Sequence, residues 1–112
     1  MSASKKKGTA AESAVAGYLR TRGYAAERRA LAGIRDRGDI AGIPGLVIEV
    51  KNCAEMRLSA WLTEAWAETE DGELGVVWHK RRGFSGPGEW YVTMDGATFV
   101  SFLEAWTRAV AD

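Results

Sequence analysis

The stretch from Arg37 to Lys51 holds three side chains whose types and spacing suit phosphoryl chemistry: Asp39, Glu49 and, two residues later, Lys51. The last two lie in Leu46-Val47-Ile48-Glu49-Val50-Lys51, a run apolar enough to be a buried strand. Alternate residues of a strand share a face, so Glu49 and Lys51 project together. Burying an unpaired charge there is costly. Convergence of Asp39, Glu49 and Lys51 around a cation and its substrate removes that cost. Carboxylate oxygens are the hard ligands Mg²⁺ prefers, and the ion keeps waters of which one can become a nucleophile. A neighbouring lysine can orient or deprotonate that water and offset charge on a phosphorane.

No other constellation competes. With His79 as the single histidine, a His-based metal triad is excluded, and its place at a strand end suits a surface or hydrogen-bonded residue. The single Cys53 excludes an internal disulfide and a multi-cysteine zinc site, and fits a small apolar residue near a strand end. There is no glycine-rich phosphate loop, and no serine sits in a nucleophile elbow.

The elements that must position these groups follow from pattern. Residues 1–7 have nothing apolar beyond Met1 and are expected to form a basic tail, leaving residues 8–112 as one domain. Thr9-Ala10-Ala11-Glu12 has the spacing of a capping box, which predicts a helix to about Arg22, stopped by Gly23. Ala11, Val15, Tyr18, Leu19 and Arg22 fall on one side of it. Glu12 has a sufficient structural task in that box, but from the first turn its carboxylate could instead point at the strand pair. Tyr24 to Arg29 is expected to be an edge strand, and residues 30–38 a connection rich in Gly and Arg.

The chain reversal before Glu49 decides whether the site can exist. If Pro44-Gly45 alone makes the turn, Asp39 faces Val50 and points away from Glu49; if Ile43-Pro44-Gly45 make a three-residue loop, or an equivalent bulge intervenes, Asp39 faces Glu49. The second register is expected. Beyond Lys51, Leu58, Trp61, Leu62, Ala65 and Trp66 predict a helix from about residue 58 to 70, and a wide apolar face there could extend into a dimer interface. On it Glu64 and Glu68, one turn apart, suit a solvated face and are not taken as ligands. Strands follow at Leu74 to His79 and Trp90 to Met94. Asp95 caps a last helix whose Phe99, Leu103, Trp106 and Val110 share a face expected to be structural, with Met94 and Phe99 placed as a staple. The order predicts an α/β or α+β domain with a central mixed sheet of about five strands flanked by three helices.

Composition bounds the function. Of 112 residues 46% are hydrophobic and 27% charged, the balance of a folded soluble domain. No apolar run approaches the roughly 20 residues that span a bilayer, and no apolar signal core follows the lysines, so an intracellular, cytoplasmic protein is expected. The zero net charge hides an asymmetry: residues 1–57 hold 11 Lys+Arg against 6 Asp+Glu, and residues 58–112 hold 4 against 9. Lys5, Lys6, Lys7, Arg28, Arg29, Arg35, Arg37, Lys80, Arg81 and Arg82 are candidate phosphate contacts, each individually consistent with simple solvation.

Gly38-Asp39 followed by Glu49-Val50-Lys51 resembles the PD-(D/E)XK nuclease motif, and a helix opening Lys7-Gly8-Thr9-Ala10-Ala11-Glu12 resembles the first helix of the archaeal and phage Holliday-junction resolvases of that superfamily. The resemblance covers residue 7 through Lys80-Arg81, and less clearly the last helix; Gly38 stands where the motif has proline. It implies a restriction-endonuclease-like core, Mg²⁺ or Mn²⁺ on Asp39, Glu49 and Glu12, and Lys51 as the catalytic lysine. It further implies a homodimer acting on a four-way DNA junction or other branched DNA and leaving 5′-phosphates. A nuclease of the same fold acting on flaps, nicks or duplex, and a non-catalytic nucleic-acid-binding or oligomerisation module, are the alternatives. In the second, Glu12 is only a cap, Glu49 and Lys51 an ion pair.

Overall fold

The first helix begins at Ala3, earlier than its capping-box signal. Ser2, in extended conformation, accepts the Lys5 N–H at 3.2 Å, and nothing in Ala3-Ser4-Lys5-Lys6-Lys7 breaks a helix, so the turn nucleated there propagates through Gly8 and Thr9. The three lysines expected in a tail are therefore the exposed first turns of α1 (Ala3–Thr21), and Thr9 caps nothing. Gly23, at φ +94, stops the helix as expected.

The computed structural model describes residues 2–29 and 38–112. Arg35 and Arg37, with most of the expected Gly- and Arg-rich connection, lie outside the described residues. The chain is α+β, with α1, β1 (Glu27–Arg28), β2 (Ile40–Ala41), β3 (Leu46–Lys51), α2 (Leu58–Ala67), β4 (Leu74–His79), β5 (Tyr91–Thr93) and α3 (Gly96–Ala111). The edge strand expected over Tyr24 to Arg29 shrinks to two residues.

Instead of one sheet of about five strands there are two among the described residues. In the first, β1 and β2 pair antiparallel, with Arg28 opposite Ile40. The second has the order β3-β4-β5: β3 and β4 run parallel with Lys51 beside His79, and β5 is antiparallel to β4. The two sheets touch where the Asp39 N–H donates to the Ile48 carbonyl at 2.8 Å. Gly38 at φ +86 and Gly42 at φ +93 bend the chain on either side of that bond, which prevents a longer ladder.

The reversal into β3 differs from expectation in a way that matters. The Leu46 N–H donates to the Ile43 carbonyl at 3.2 Å, so Pro44 and Gly45 occupy the corners of a β-turn, with Gly45 at φ +84 as a type II turn requires. Pleat alternation alone would then put Asp39 on the wrong face. β2 and β3 form no ladder that would impose this alternation, and the left-handed Gly42 bends the chain between β2 and the turn, so Asp39 still reaches Glu49.

The parallel β3–β4 pair is covered on both faces. Leu46, Ile48, Val50 and Val76 face α1, where Ile48, Val50 and Val76 join Ala11, Val15 and Ala16 in one core. Val77 faces α2 and packs with Trp61 and Ala65. Each fully buried side chain of this kind stabilises the fold by roughly 1.5–3 kcal/mol. Gly75 lets α2 approach closely, since a Cβ there would lie 3.1 Å from the Ala65 backbone. Trp61, 7% exposed, serves this core and not a dimer face, while Cys53 is exposed and unpacked. No helix among the described residues is long and apolar enough to cross a membrane.

Candidate metal centre

β3 presents Glu49 and Lys51 toward α2, as the alternation demands. α2 answers with Glu64 and, at its C-cap, Glu68, which stand one turn apart and so face the same way. Carboxylate oxygens of Glu49, Glu64 and Glu68 all lie within 4.8 Å of one another. Asp39 reaches the same place from the far side: its Oδ2 accepts the Val50 N–H at 2.7 Å, and its carboxylate hydrogen-bonds Glu49. The Gly38 N–H, next to it, donates to Glu68 Oε1 at 3.2 Å. The other oxygen of Glu68 is buried without a hydrogen-bond partner.

Two cations border the acids. Lys51 Nζ donates to both oxygens of Glu64, at 2.9 and 3.2 Å. Arg28 Nε donates to Glu12 Oε1 at 3.1 Å and its Nη2 to Thr9 Oγ1 at 3.4 Å. Glu12 is thus held by Arg28 and not by a capping box, yet it is close enough to Asp39 and Lys51 to feel both charges. The expected set of Glu12, Asp39, Glu49 and Lys51 is brought together around one sheet end. Among the described residues, however, the three carboxylates that gather closely enough to share an ion are Glu49 with Glu64 and Glu68, the two acids set aside as a solvated face. Their one signal in the sequence was the one-turn spacing on a helix directly following the E-x-K strand.

The electrostatics are those of too many acids in too little water. Burial pushes the Glu49 carboxyl from an ordinary 4.5 up to about 11, with a hydrogen bond to Glu68 and repulsion from Asp39 and Glu68 adding to it. Glu49 is only 4% exposed. Asp39 is also raised by burial, against the Val50 and Glu49 hydrogen bonds that favour its charged form. Burial and the Asp39 charge raise Glu12, with Arg28 opposing. For Lys51 burial works toward a lower value, but the Glu64 hydrogen bond and surrounding carboxylates prevail and hold it above the ordinary value, so it is protonated at neutral pH.

An all-oxygen donor set with one unpartnered buried oxygen is what a hard divalent cation satisfies. His79 is no ligand here. It is buried, its ring tilted against Trp61 and Tyr91, with Nε2 2.7 Å from Thr93 Oγ1, and burial lowers its pKa.

Among the candidate phosphate contacts, Lys80, Arg81 and Arg82 emerge at the same sheet end as Lys51, where the Lys80 N–H donates to the Lys51 carbonyl at 2.9 Å. Arg81 is stacked 3.7 Å over the Phe84 ring and Lys80 lies 5.9 Å from the Trp90 ring, leaving Arg82 exposed. Arg29 is exposed, whereas Arg28 is half-buried and committed to Glu12. Lys5, Lys6 and Lys7 precede Glu12 on α1 by one to two turns, about 7–10 Å along the helix. No family model matches the chain, and no curated protein or solved structure matches it.

Proposed function

We propose that the chain is a metal-dependent, structure-selective DNA endonuclease with a restriction-endonuclease-like core, hydrolysing phosphodiesters at branched DNA in the manner of a Holliday-junction resolvase. One observation carries this reading: Asp39, from a bent lead-in strand, meets the buried Glu49 of a Leu-Val-Ile-Glu-Val-Lys strand with Lys51 on the same face. A structural role alone gives no reason to bury these carboxylates together at a cost in desolvation.

Asp39, Glu49, Glu68 and Glu64 would hold Mg²⁺ or Mn²⁺, with Glu12 at the border. Bound there, the ion supplies Lewis-acid activation of a water and of the scissile phosphate. The chain's own contribution is orientation and charge. Lys51, protonated, acts as a cation beside the phosphate and not as the base, and its grip on Glu64 sets its reach. Glu12, fixed by Arg28, bears on the charge of Asp39. The Lys80-Arg81-Arg82 run at the same sheet end offers positive charge to the flanking phosphates. In the net reaction a water oxygen bonds to phosphorus as the P–O3′ bond breaks, leaving a 5′-phosphate and a 3′-hydroxyl that takes up a proton.

The Lys51–Glu64 pair favours a second reading, a module in which the charges are structural. Cleavage assays separate the two. With Mg²⁺ or Mn²⁺, the wild-type chain should cut a four-way junction in preference to the matched linear duplex, and Asp39→Asn should not. Absence of cutting on branched, nicked and linear DNA alike overturns the nuclease reading.

A further inference from the structure

The three helices are held to different degrees. α1 buries Ala11, Val15 and Ala16 in the larger core. α3 buries Thr98 alone, at its first turn, and its stripe of Phe99, Leu103, Trp106 and Val110 is exposed. α2 stands between them. It rests on the sheet through Trp61, Ala65 and the half-buried Leu62, with Val77 of β4 as their buried partner in that cluster.

The remaining support under Trp61 is a titratable ring. His79 follows Val77 on the same face of β4, and its imidazole lies 5.9 Å from the Trp61 ring and 5.6 Å from the Tyr91 ring. Trp61 and His79 are only 7 and 4% exposed. Nε2 is 2.7 Å from Thr93 Oγ1, whereas Nδ1 is buried with no hydrogen-bond partner among the described residues. A charged imidazole carries an N–H on both nitrogens. The Thr93 hydroxyl can accept one, and the other is left buried and unpaired, whichever tautomer the neutral ring adopts. The charged groups on the packed elements are engaged elsewhere. Lys51, beside His79 in the β3–β4 register, is bonded to Glu64 of α2; Glu49 is hydrogen-bonded to Glu68; Arg57, at the α2 N-cap, pairs with Glu55. Arg81 lies over the Tyr91 ring at 5.3 Å and is itself a cation.

We propose that His79 is a proton-operated latch on α2: the neutral ring seats Trp61 against the sheet, and its protonation expels Trp61 and lifts α2, drawing Glu64 and Glu68 away from Glu49. Of the two rings that cover the imidazole, Tyr91 is fixed on a strand paired with β4 and backed by Arg81, which stacks 3.7 Å over Phe84. Trp61 belongs to the more lightly held helix, so its displacement is what admits water. Burial alone accounts for the lowered pKa of His79, with no neighbouring charge contributing. Above the ordinary value of 6.5 the latch is shut. Below it the opened chain binds a proton that the seated ring refuses, and opening becomes more favourable by at most about tenfold for each pH unit. The latch stands on packing and does not depend on the nuclease reading.

Because the chain has one histidine, its proton NMR signal reports the latch directly. The metal-free chain is titrated from about pH 8 to about pH 4, following the imidazole together with the Trp61 indole N–H, assigned by its loss in Trp61→Phe. The ring should take up its proton below 6.5 in the same step that moves the Trp61 signal, while amide signals of α1, β3 and β4 stay in place. His79→Gln can still reach Thr93 and cannot charge, so its Trp61 signal should hold through that range. A ring that charges without moving Trp61, or that never charges in the range, overturns the latch. So does a Trp61 step at the same pH in His79→Gln, or one that coincides with unfolding of the whole chain. The wild-type titration decides the matter even where the variant is unstable. Mn²⁺ affinity at about pH 8, where the ring is neutral, reports the acid cluster separately, so failure of the metal site and failure of the latch are told apart.

Discussion

Asp39 is held twice, its N–H by the Ile48 carbonyl and its carboxylate by the Val50 N–H. The carbonyl oxygen of an asparagine can still accept that second bond, so Asp39→Asn should fold while removing the charge. We expect cleavage to fall by on the order of 10³, the scale of removing one group that stabilises charge in the transition state, with the urea midpoint little changed. Glu68→Gln should be milder, weakening Mn²⁺ binding by about 10–100-fold, read by calorimetry, as expected for a group that orients and completes a ligand set. Glu49 makes a pH prediction. Its carboxyl is pushed from 4.5 up to about 11, so above pH 4.5 the native metal-free chain keeps a proton that the unfolded chain has released. That contribution to stability is complete below 4.5 and is lost as pH rises toward 11. The melting midpoint of metal-free protein should therefore decline across this window, and Glu49→Gln should flatten the decline. Added Mn²⁺ should raise the midpoint more at the alkaline end, because the ion takes the place of the proton.

At the scale of elements, the site depends on how the segment before β3 bends. Gly42 and Gly45 share left-handed backbone angles but not surroundings. A Cβ on Gly42 would lie 2.0 Å from the Ala25 carbonyl oxygen, whereas one on Gly45 meets nothing within 4 Å. Gly45→Ala should cost about 1–2 kcal/mol, the conformational penalty alone. Gly42→Ala adds overpacking against backbone, about 1–3 kcal/mol more, and by shifting the bend should also uncouple Asp39 from Glu49. Urea denaturation ranks the two, and Mn²⁺ affinity shows whether the bend positions the acid. α2 has the complementary task. Its close seat over Gly75 and its Trp61 and Ala65 contacts with β4 are what carry Glu64 and Glu68 to the acid cluster.

For the whole molecule, zero net charge is compatible with a polyanionic partner because the charge is divided. Lys5, Lys6 and Lys7 extend α1 beyond Glu12, and the Lys80-Arg81-Arg82 run leaves the sheet beside Lys51. If these touch DNA, log affinity should fall linearly with log salt, and replacing all three amino-terminal lysines by alanine should reduce that slope by about 0.9 for each phosphate no longer neutralised. Filter binding at several salt concentrations, on junction and duplex, measures it.

The local pattern alone specified the strand Leu46–Lys51, the shared face of Glu49 and Lys51, the Asp95 cap and helices near residues 58 and 96, because periodicity, caps and turn residues act within a few positions. It also singled out Asp39 and Glu12, as residue types at a telling spacing. Only the tertiary structure decided the rest. Ser2 competed with Thr9 for the helix start, and the earlier cap won for want of a helix breaker between them. The turn closed on two residues, and Gly42, pressed against Ala25 from a distant segment, marks the bend after which Asp39 reaches Glu49. Glu64 and Glu68 became part of the site only when α2 packed on β3 and β4. The stripe of α3, expected to be structural, is exposed because the direction of a helix leaving a sheet is set by packing at its first turn, which no spacing of apolar residues encodes.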